Sequence, residues 1–230
     1  MMNNMIKVGL GLLATTTLVA CGGGNSPEPM QTLRITMTNL TAGQPISPVM
    51  VALNTGATAW SAGAVASTAL EKLAESGDAS ALAASLAAAG GLGAANGKAP
   101  IGPGASESIE LSFNANAAAK LTLAGMLVNT NDAFTGLAAV SVGGLAVGEQ
   151  LTQQLAAWDA GTEANDETAA TIPGPAGGGE GFNAARSDGL NLIRVHAGVV
   201  SADDGLATSV LKSTHRFDNP VLGVLIERIR

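Results

Sequence analysis

The acidic side chains of this 230-residue chain are the ones whose type and spacing most readily do chemistry. Asp132 ends the string Asn129-Thr130-Asn131-Asp132 directly after an apolar run. Asp159 opens Asp159-Ala160-Gly161-Thr162-Glu163, with Asp166 and Glu167 close behind. Hard cations such as Ca²⁺ take about six to eight oxygen ligands, and neighbouring loops at one end of a β-structure can converge to supply them. Asp159 and Glu163 can face one ion if Gly161 turns the chain between them, because glycine enters left-handed backbone at no steric cost. The pattern is not the helix–loop–helix calcium motif: the acids do not fall at alternate positions and no glycine stands sixth from Asp159. A solvated acidic loop accounts for the same string, so the residues alone leave both readings open. Asp159 and Glu163 as the paired carboxylates of a glycosidase are a remote third, since aromatics to grip a sugar ring are only 3% of the chain and Tyr is absent.

Other catalytic patterns fail on inspection. There is no Gly-x-Ser-x-Gly elbow and no His-Glu-x-x-His. Gly97-Lys98 is followed by Ala99, where a phosphate loop needs Ser or Thr, and Gly91-Leu92-Gly93 reaches Asn96 where a dinucleotide fingerprint needs a third glycine. His196 in a strand-like stretch and His215 in a polar one have no nearby Cys or acid at zinc spacing; His196 reads as a hydrogen-bonded structural residue and His215 as a solvated or turn-stabilising one. The expectation is a non-enzyme. With Lys+Arg 11 against Asp+Glu 18 and a net charge of −7, the chain also lacks the basic face that displaces counterions from nucleic acid.

The elements that must position these acids are short strands. Apolar residues make up 47% and charged ones 13%, enough apolar surface to bury, while 30 Gly and 9 Pro call for many turns. Residues 32–39 alternate Leu33, Ile35, Met37 with Arg34, Thr36, Thr38, the period of a half-buried strand. Further strands are expected over 49–53, 150–158, 191–199 and 221–229, and 108–113 with 120–128 read as a hairpin pair. Between residues 65 and 89, Leu70, Leu73, Ala74 and Leu82, Ala83, Leu86 recur at helical spacing with Gly77-Asp78 between them. That predicts two short helices, the second capped by Asp78 or Ser80. Residues 90–104 and 165–189 read as Gly/Pro-rich loops, the latter long enough to be functional or mobile. Seven or eight short strands without crossover helices or a repeat predict a mainly β, antiparallel β-sandwich with one short helical insertion.

The first residues read as an address. Lys7, an apolar run over 8–19 and then Leu18-Val19-Ala20-Cys21 are expected to form a lipoprotein signal peptide over 1–20, since a run this short does not span a bilayer of about 20 residues. Its end resembles a bacterial lipobox, which implies that Cys21 carries lipid. The alternative is an ordinary secreted protein whose lone Cys falls there. Cys21 is the only cysteine, so intrachain disulfides are excluded. Residues 21–31 then form the lipidated Cys and a flexible tether, Gly22 favours sorting to the outer membrane, and loss of Lys7 takes the charge from −7 to −8.

Five strings, over residues 35–53, 70–78, 126–137, 158–167 and 218–229, resemble the spondin N-terminal domain family in its bacterial form. The most telling are Asn131-Asp132-Ala133-Phe134-Thr135-Gly136-Leu137 and Asp159-Ala160-Gly161-Thr162-Glu163. The resemblance spans 32–230 and implies a C2-like β-sandwich of an extracellular adhesion protein, with calcium held by three acids. Position by position these match Asp132, Asp159 and Glu163. Ala133 stands where the family has Trp, Glu163 where it has Asp, and the animal members' cysteines are absent. The resulting expectation is a lipid-anchored, calcium-binding adhesion or interaction module of the bacterial cell envelope. Its partners are a membrane, through the lipid, and a surface or matrix protein or glycan. The alternative is a structural envelope lipoprotein without metal.

Overall fold

A computed structural model describes residues 29–230. The expected signal peptide, Cys21 and most of the tether lie outside the described residues. Among the described residues ten strands form two antiparallel sheets. The first has four strands: β4 (Ser106–Asn114), β1 (Met30–Asn39), β10 (Leu222–Arg228) and β7 (Gln150–Leu155), in that order. The second has six: β3 (Gly91–Asn96), β2 (Met50–Asn54), β5 (Lys120–Met126), β6 (Ala133–Ser141), β8 (Ala157–Asp159) and β9 (Arg194–Val195). Two helices, α1 (Thr68–Ser76) and α2 (Ser80–Ala88), connect β2 to β3. The protein is thus mainly β, a sandwich with a short helical insertion, as its alternation predicts. Among the described residues no helix is long and apolar enough to cross a membrane.

Burial explains which sequence signals were strong. In β1, Leu33, Ile35 and Met37 are fully buried between the sheets against Ile109, Leu111, Leu121, Leu123, Val224 and Ile226. Each such side chain contributes about 1.5–3 kcal/mol by leaving water. The six-stranded sheet is covered on both faces. Val51 and Leu53 of β2 point into the sandwich, while Met50 and Ala52 meet the helices through Leu70, Leu73, Leu82 and Leu86. A strand buried on both sides reads as a continuous apolar run, as residues 49–53 do. Helix α1 begins at Ser67, whose side chain accepts from Leu70 N, and ends at Gly77. Ahead of α2, Asp78 Oδ1 accepts from Ser80 N at 2.9 Å, while Ala79 occupies the cap position. Gly136 on β6 leaves no room for a side chain: a Cβ there would lie 2.0 Å from Leu123 O of β5 and 2.9 Å from the Trp60 ring.

Several local expectations are corrected. Residues 90–104 contain β3, which pairs with β2 although its sequence, GLGAAN, alternates nothing. Strands β4 and β5 are not a hairpin: β4 pairs with β1 in one sheet and β5 with β2 and β6 in the other. β6 carried no strand signal, being buried on both faces over its first half and rich in Ala and Gly. The expected strand over 150–158 breaks at Ala156, so that β7 pairs with β10 and β8 crosses to pair with β6. The last correction delivers Asp159 to the site, since sheet-switching corners of this kind turn a strand end toward the loops. The strand expected over 191–199 shortens to Arg194–Val195, and β1 begins two residues before position 32.

Candidate functional site

The β5–β6 loop and the β8 end meet at one end of the sandwich. Ala133 and Asp159 are register partners between β6 and β8, which makes Asp132 and Asp159 neighbours. Thr130 fixes the approach: its hydroxyl donates to Leu127 O and accepts from Ala133 N. After Asp159 the chain reverses at Gly161, φ +77°, where a Cβ would lie 2.5 Å from Leu192 O, so any other residue is excluded on two counts. The turn closes with Gly161 N donating to Asp159 Oδ1 at 2.7 Å. It lays Thr162 and Glu163 over Asp132: Thr162 N, Thr162 Oγ1 and Glu163 N donate to Asp132 Oδ2 at 2.8, 3.2 and 3.1 Å. Gly161 therefore performs the reversal that the sequence required of it.

All three acids are buried, at 1% exposure or less. Asp159 Oδ2 is satisfied by Arg194 Nη2 at 2.7 Å and Asn165 Nδ2 at 3.0 Å. Glu163 Oε1 lies 2.9 Å from Arg186 Nη1, an ion pair without hydrogen-bond geometry, and neither Glu163 oxygen has a hydrogen-bond donor. Asp132 Oδ1 is likewise buried and without a donor. Burial, reinforced by the charge of Asp159, pushes Asp132 up to about 6 despite its three donors. Burial pushes Glu163 up to about 8; Arg186 opposes this, while Glu75, Asp132 and Asp188 add to it.

Sequence reasoning missed what surrounds these acids. Arg186, from the irregular stretch that follows residue 165, and Arg194 of β9 supply positive charge. Glu75 of α1, buried and raised mainly by burial, accepts from Asn183 N at 3.3 Å and interacts with the Thr162 side chain. Glu167 is buried at φ +58°, a left-handed conformation unusual outside glycine, and its Oε1 accepts from Val200 N at 3.2 Å. Burial raises its carboxyl to about 7. Asp166 takes another course: burial is outweighed by Thr171, Thr168 and Asn131, which hold it below the usual range. His196 is structural in part, with Nδ1 accepting from Gly198 N at 3.0 Å, but its buried Nε2 has no partner. Burial lowers it to about 4, partly opposed by Asp159. His215 accepts from Lys212 N and stabilises a turn.

An all-oxygen set of carboxylates suits a hard cation, and the donor-free oxygens of Asp132 and Glu163 leave lone pairs for one. As they stand, no group of three or more His, Cys, Asp or Glu side chains among the described residues is arranged to hold a metal ion. The positive charge at the acids is that of two guanidinium groups. No protein-family model matches the chain, and no match to it is found among curated proteins.

Proposed function

We propose that this protein is a calcium-binding adhesion or interaction module of the cell envelope. It would belong to the spondin N-terminal domain family and be anchored through lipid on Cys21, with a surface or matrix protein or glycan as partner. Asp132, Asp159 and Glu163 would hold the ion. The observation that carries this reading is that two loops bury three carboxylates together while leaving Asp132 Oδ1 and both Glu163 oxygens without donors. A divalent ion bound there supplies charge that offsets the mutual repulsion of the acids. The protein's own contribution is to hold the loops, through Gly161 and the three donors to Asp132 Oδ2.

Melting of the full chain in excess EGTA and in several millimolar calcium tests the proposal. Extracellular calcium modules have Kd values of roughly 10⁻⁴–10⁻³ M, so calcium at ten times Kd should add about 1.4 kcal/mol. The melting temperature should rise by about 3–6 °C. Asp159→Asn should abolish most of that response, and magnesium, which keeps its waters, should do less. A second reading, a structural lipoprotein without metal, is favoured by one observation: Arg186 and Arg194 already neutralise two of the acids. An unchanged melting temperature with no heat on titration would leave that reading in place.

A further inference from the structure

We infer that the end of the sandwich at which β1 begins is a membrane-contacting face: Met30 and Val147 enter the bilayer interface, Lys120, Arg228 and Arg230 meet lipid phosphates, and the acidic loop end stands away from the membrane. The inference rests on the lipid anchor of the reading above and is independent of calcium.

Strand register gathers this end. Met30 pairs with Asn114, Lys120 with both Asn54 and Ser141, and Gln150 with Glu227. The start of β1 therefore lies beside the loops over 54–58, 114–119 and 141–149, opposite the loop end that holds Asp132 and Asp159. Gln31 fastens the entry to two of these loops, its Nε2 donating to Ala115 O at 3.0 Å and to Gly143 O at 2.9 Å. Exposed aliphatic side chains project here: Met30 is 47% exposed and Val147 66%. Val147 is not on a slack loop. Glu149 N donates to Ala146 O at 2.9 Å, Gly148 N to Arg228 O at 2.7 Å and Arg228 Nη1 to Leu145 O at 2.7 Å, so the turn that presents it is pinned on both sides. Singly, exposed aliphatic residues are ordinary; the charge around these two sets them apart.

Residues 54–58, 114–119 and 141–148 contain no charged residue. Among the described residues, the charges near them beyond the row of Arg34, Glu110 and Glu227 are Lys120, Arg228 and Arg230 against Glu149, whose carboxylate is spent on Ala146 N at 2.7 Å. The loop end instead gathers Asp132, Asp159, Glu163, Asp166, Glu167 and Asp188 around Arg186 and Arg194. A leaflet of anionic lipids attracts the first end and repels the second. Chain length points the same way. Residues 22–29 reach at most about 26–29 Å, at the 3.3–3.6 Å each spans when fully extended. The ten residues of β1 set Met30 about 30 Å from the loop end, at ~3.3 Å per residue. A chain anchored at Cys21 thus exhausts its reach before the loop end meets the bilayer, whereas Met30 meets it directly. Two aliphatic side chains and three bases bind a membrane weakly alone, but an anchor makes the contact intramolecular and raises its occupancy.

Quenching by brominated lipids reads the orientation. The full chain is joined through Cys21, its only cysteine, to a maleimide lipid in vesicles of phosphatidylethanolamine and phosphatidylglycerol, so the face is judged whether or not the cell acylates Cys21. Val147→Trp should be quenched at least twofold more than the unaltered chain, whose Trp60 and Trp158 pack over the six-stranded sheet. Ala207→Trp, exposed at the loop end, should add no quenching. Exchanging phosphatidylglycerol for phosphatidylcholine should weaken the Val147→Trp signal, as should Lys120→Glu. Hydrogen exchange gives an answer without a new tryptophan: on vesicles the amides of 114–119 and 141–148 should slow several-fold in the unaltered chain, those of 159–189 should not, and Val147→Asp should remove the protection. Quenching of Ala207→Trp in place of Val147→Trp, or no vesicle-dependent change at either end, would overturn the inference and leave the anchor standing. A chain recovered from its cells with Cys21 unmodified would remove the anchor, and with it the membrane as the partner of this face.

Discussion

Two sets of arginine–carboxylate pairs stand in opposite settings. On the outer face of the four-stranded sheet, Arg34 of β1 stands in register between Glu110 of β4 and Glu227 of β10, at 2.9 and 3.6 Å. These side chains are partly or largely in water, and the cross-strand hydroxyl pairs around them, Thr32–Ser112, Thr36–Ser108 and Thr38–Ser106, close at 2.7–2.8 Å. At the loop end, Glu163 and Asp159 meet their arginines almost out of water, and Asp132 Oδ1, both Glu163 oxygens, Glu167 Oε2 and His196 Nε2 lack hydrogen-bond partners. The sheet face satisfies itself. The loop end carries a desolvation cost that well-packed apolar side chains would avoid. Stability is therefore located in the sandwich and its helical cover, and the charges at the loop end oppose it. Departures of this kind from local consistency concentrate where a protein binds something.

pH separates the two regions most strongly. Glu163, raised to about 8, and Glu167, raised to about 7, hold protons in the folded chain that the unfolded chain has already lost by about pH 5. A raised acid stabilises the fold below its unfolded pKa, and that stabilisation is lost as pH rises through the folded one. His196, lowered to about 4 by burial, works the other way between about pH 4 and 6.5, because the unfolded chain then binds the extra proton. Over that window the rising limb of His196 is outweighed by the falling limbs of Glu163, Glu167 and Asp132, itself raised to about 6, so stability falls as pH rises from about 5 to 8. From pH 6.5 to 8.5 urea unfolding should show a loss of about 3 kcal/mol at low calcium. Saturating calcium should flatten that alkaline limb, and a flat profile without calcium would mean that these acids are wetter than their burial implies.

Next in size is the loss of a single buried partner. Arg194→Ala strands Asp159 at 1% exposure with only Gly161 N and Asn165 Nδ2 as donors. Removing one member of a buried pair costs about 3–5 kcal/mol, and because Arg194 itself is partly wet we expect about 2 kcal/mol in urea unfolding at pH 7. A loss below about 0.5 kcal/mol would erase the distinction between the regions.

The sheet region was legible in the sequence and the loop end only in part, for a physical reason. Where one face is buried and the other wet, as in β1, alternation reports the fold directly. β3 and β6 escaped: GLGAAN is made a strand by its pairing with β2, and AFTGLAAVS needs small residues because helices and the neighbouring sheet press on both faces. The break at Ala156 followed from no local pattern; it is fixed by distant contacts, with Thr135 Oγ1 donating to Ala156 O and Ala157 N to Asn219 Oδ1. At the site, Asp159, Gly161 and Glu163 were legible because a short string contains the turn that unites them, whereas Asp132 was joined to them by the family resemblance and is brought beside Asp159 by the pairing of β6 with β8. Arg186, Arg194 and Glu75 were not legible, since their pairing spans chain separations that carry no period.

The smallest expected effect checks the other side of the comparison. Arg34→Ala removes a guanidinium that is 45% exposed from two glutamates that remain in contact with solvent. An exposed pair gains little Coulomb energy in water and gives up side-chain freedom to form, so its loss should cost no more than about 0.5–1 kcal/mol. That small effect should shrink further in 0.5 M salt, where screening acts within a few ångströms, whereas the Arg194→Ala effect should persist because the partner it abandons is not in contact with the solution. Glu110 and Glu227 sit on opposite sides of β1, so the like-charge repulsion left behind is spread across three strands and water relaxes it. If Arg34→Ala proved as costly as Arg194→Ala, the sheet face would be an electrostatic keystone, and the division between a self-satisfied sheet and a charge-burdened loop end would fail.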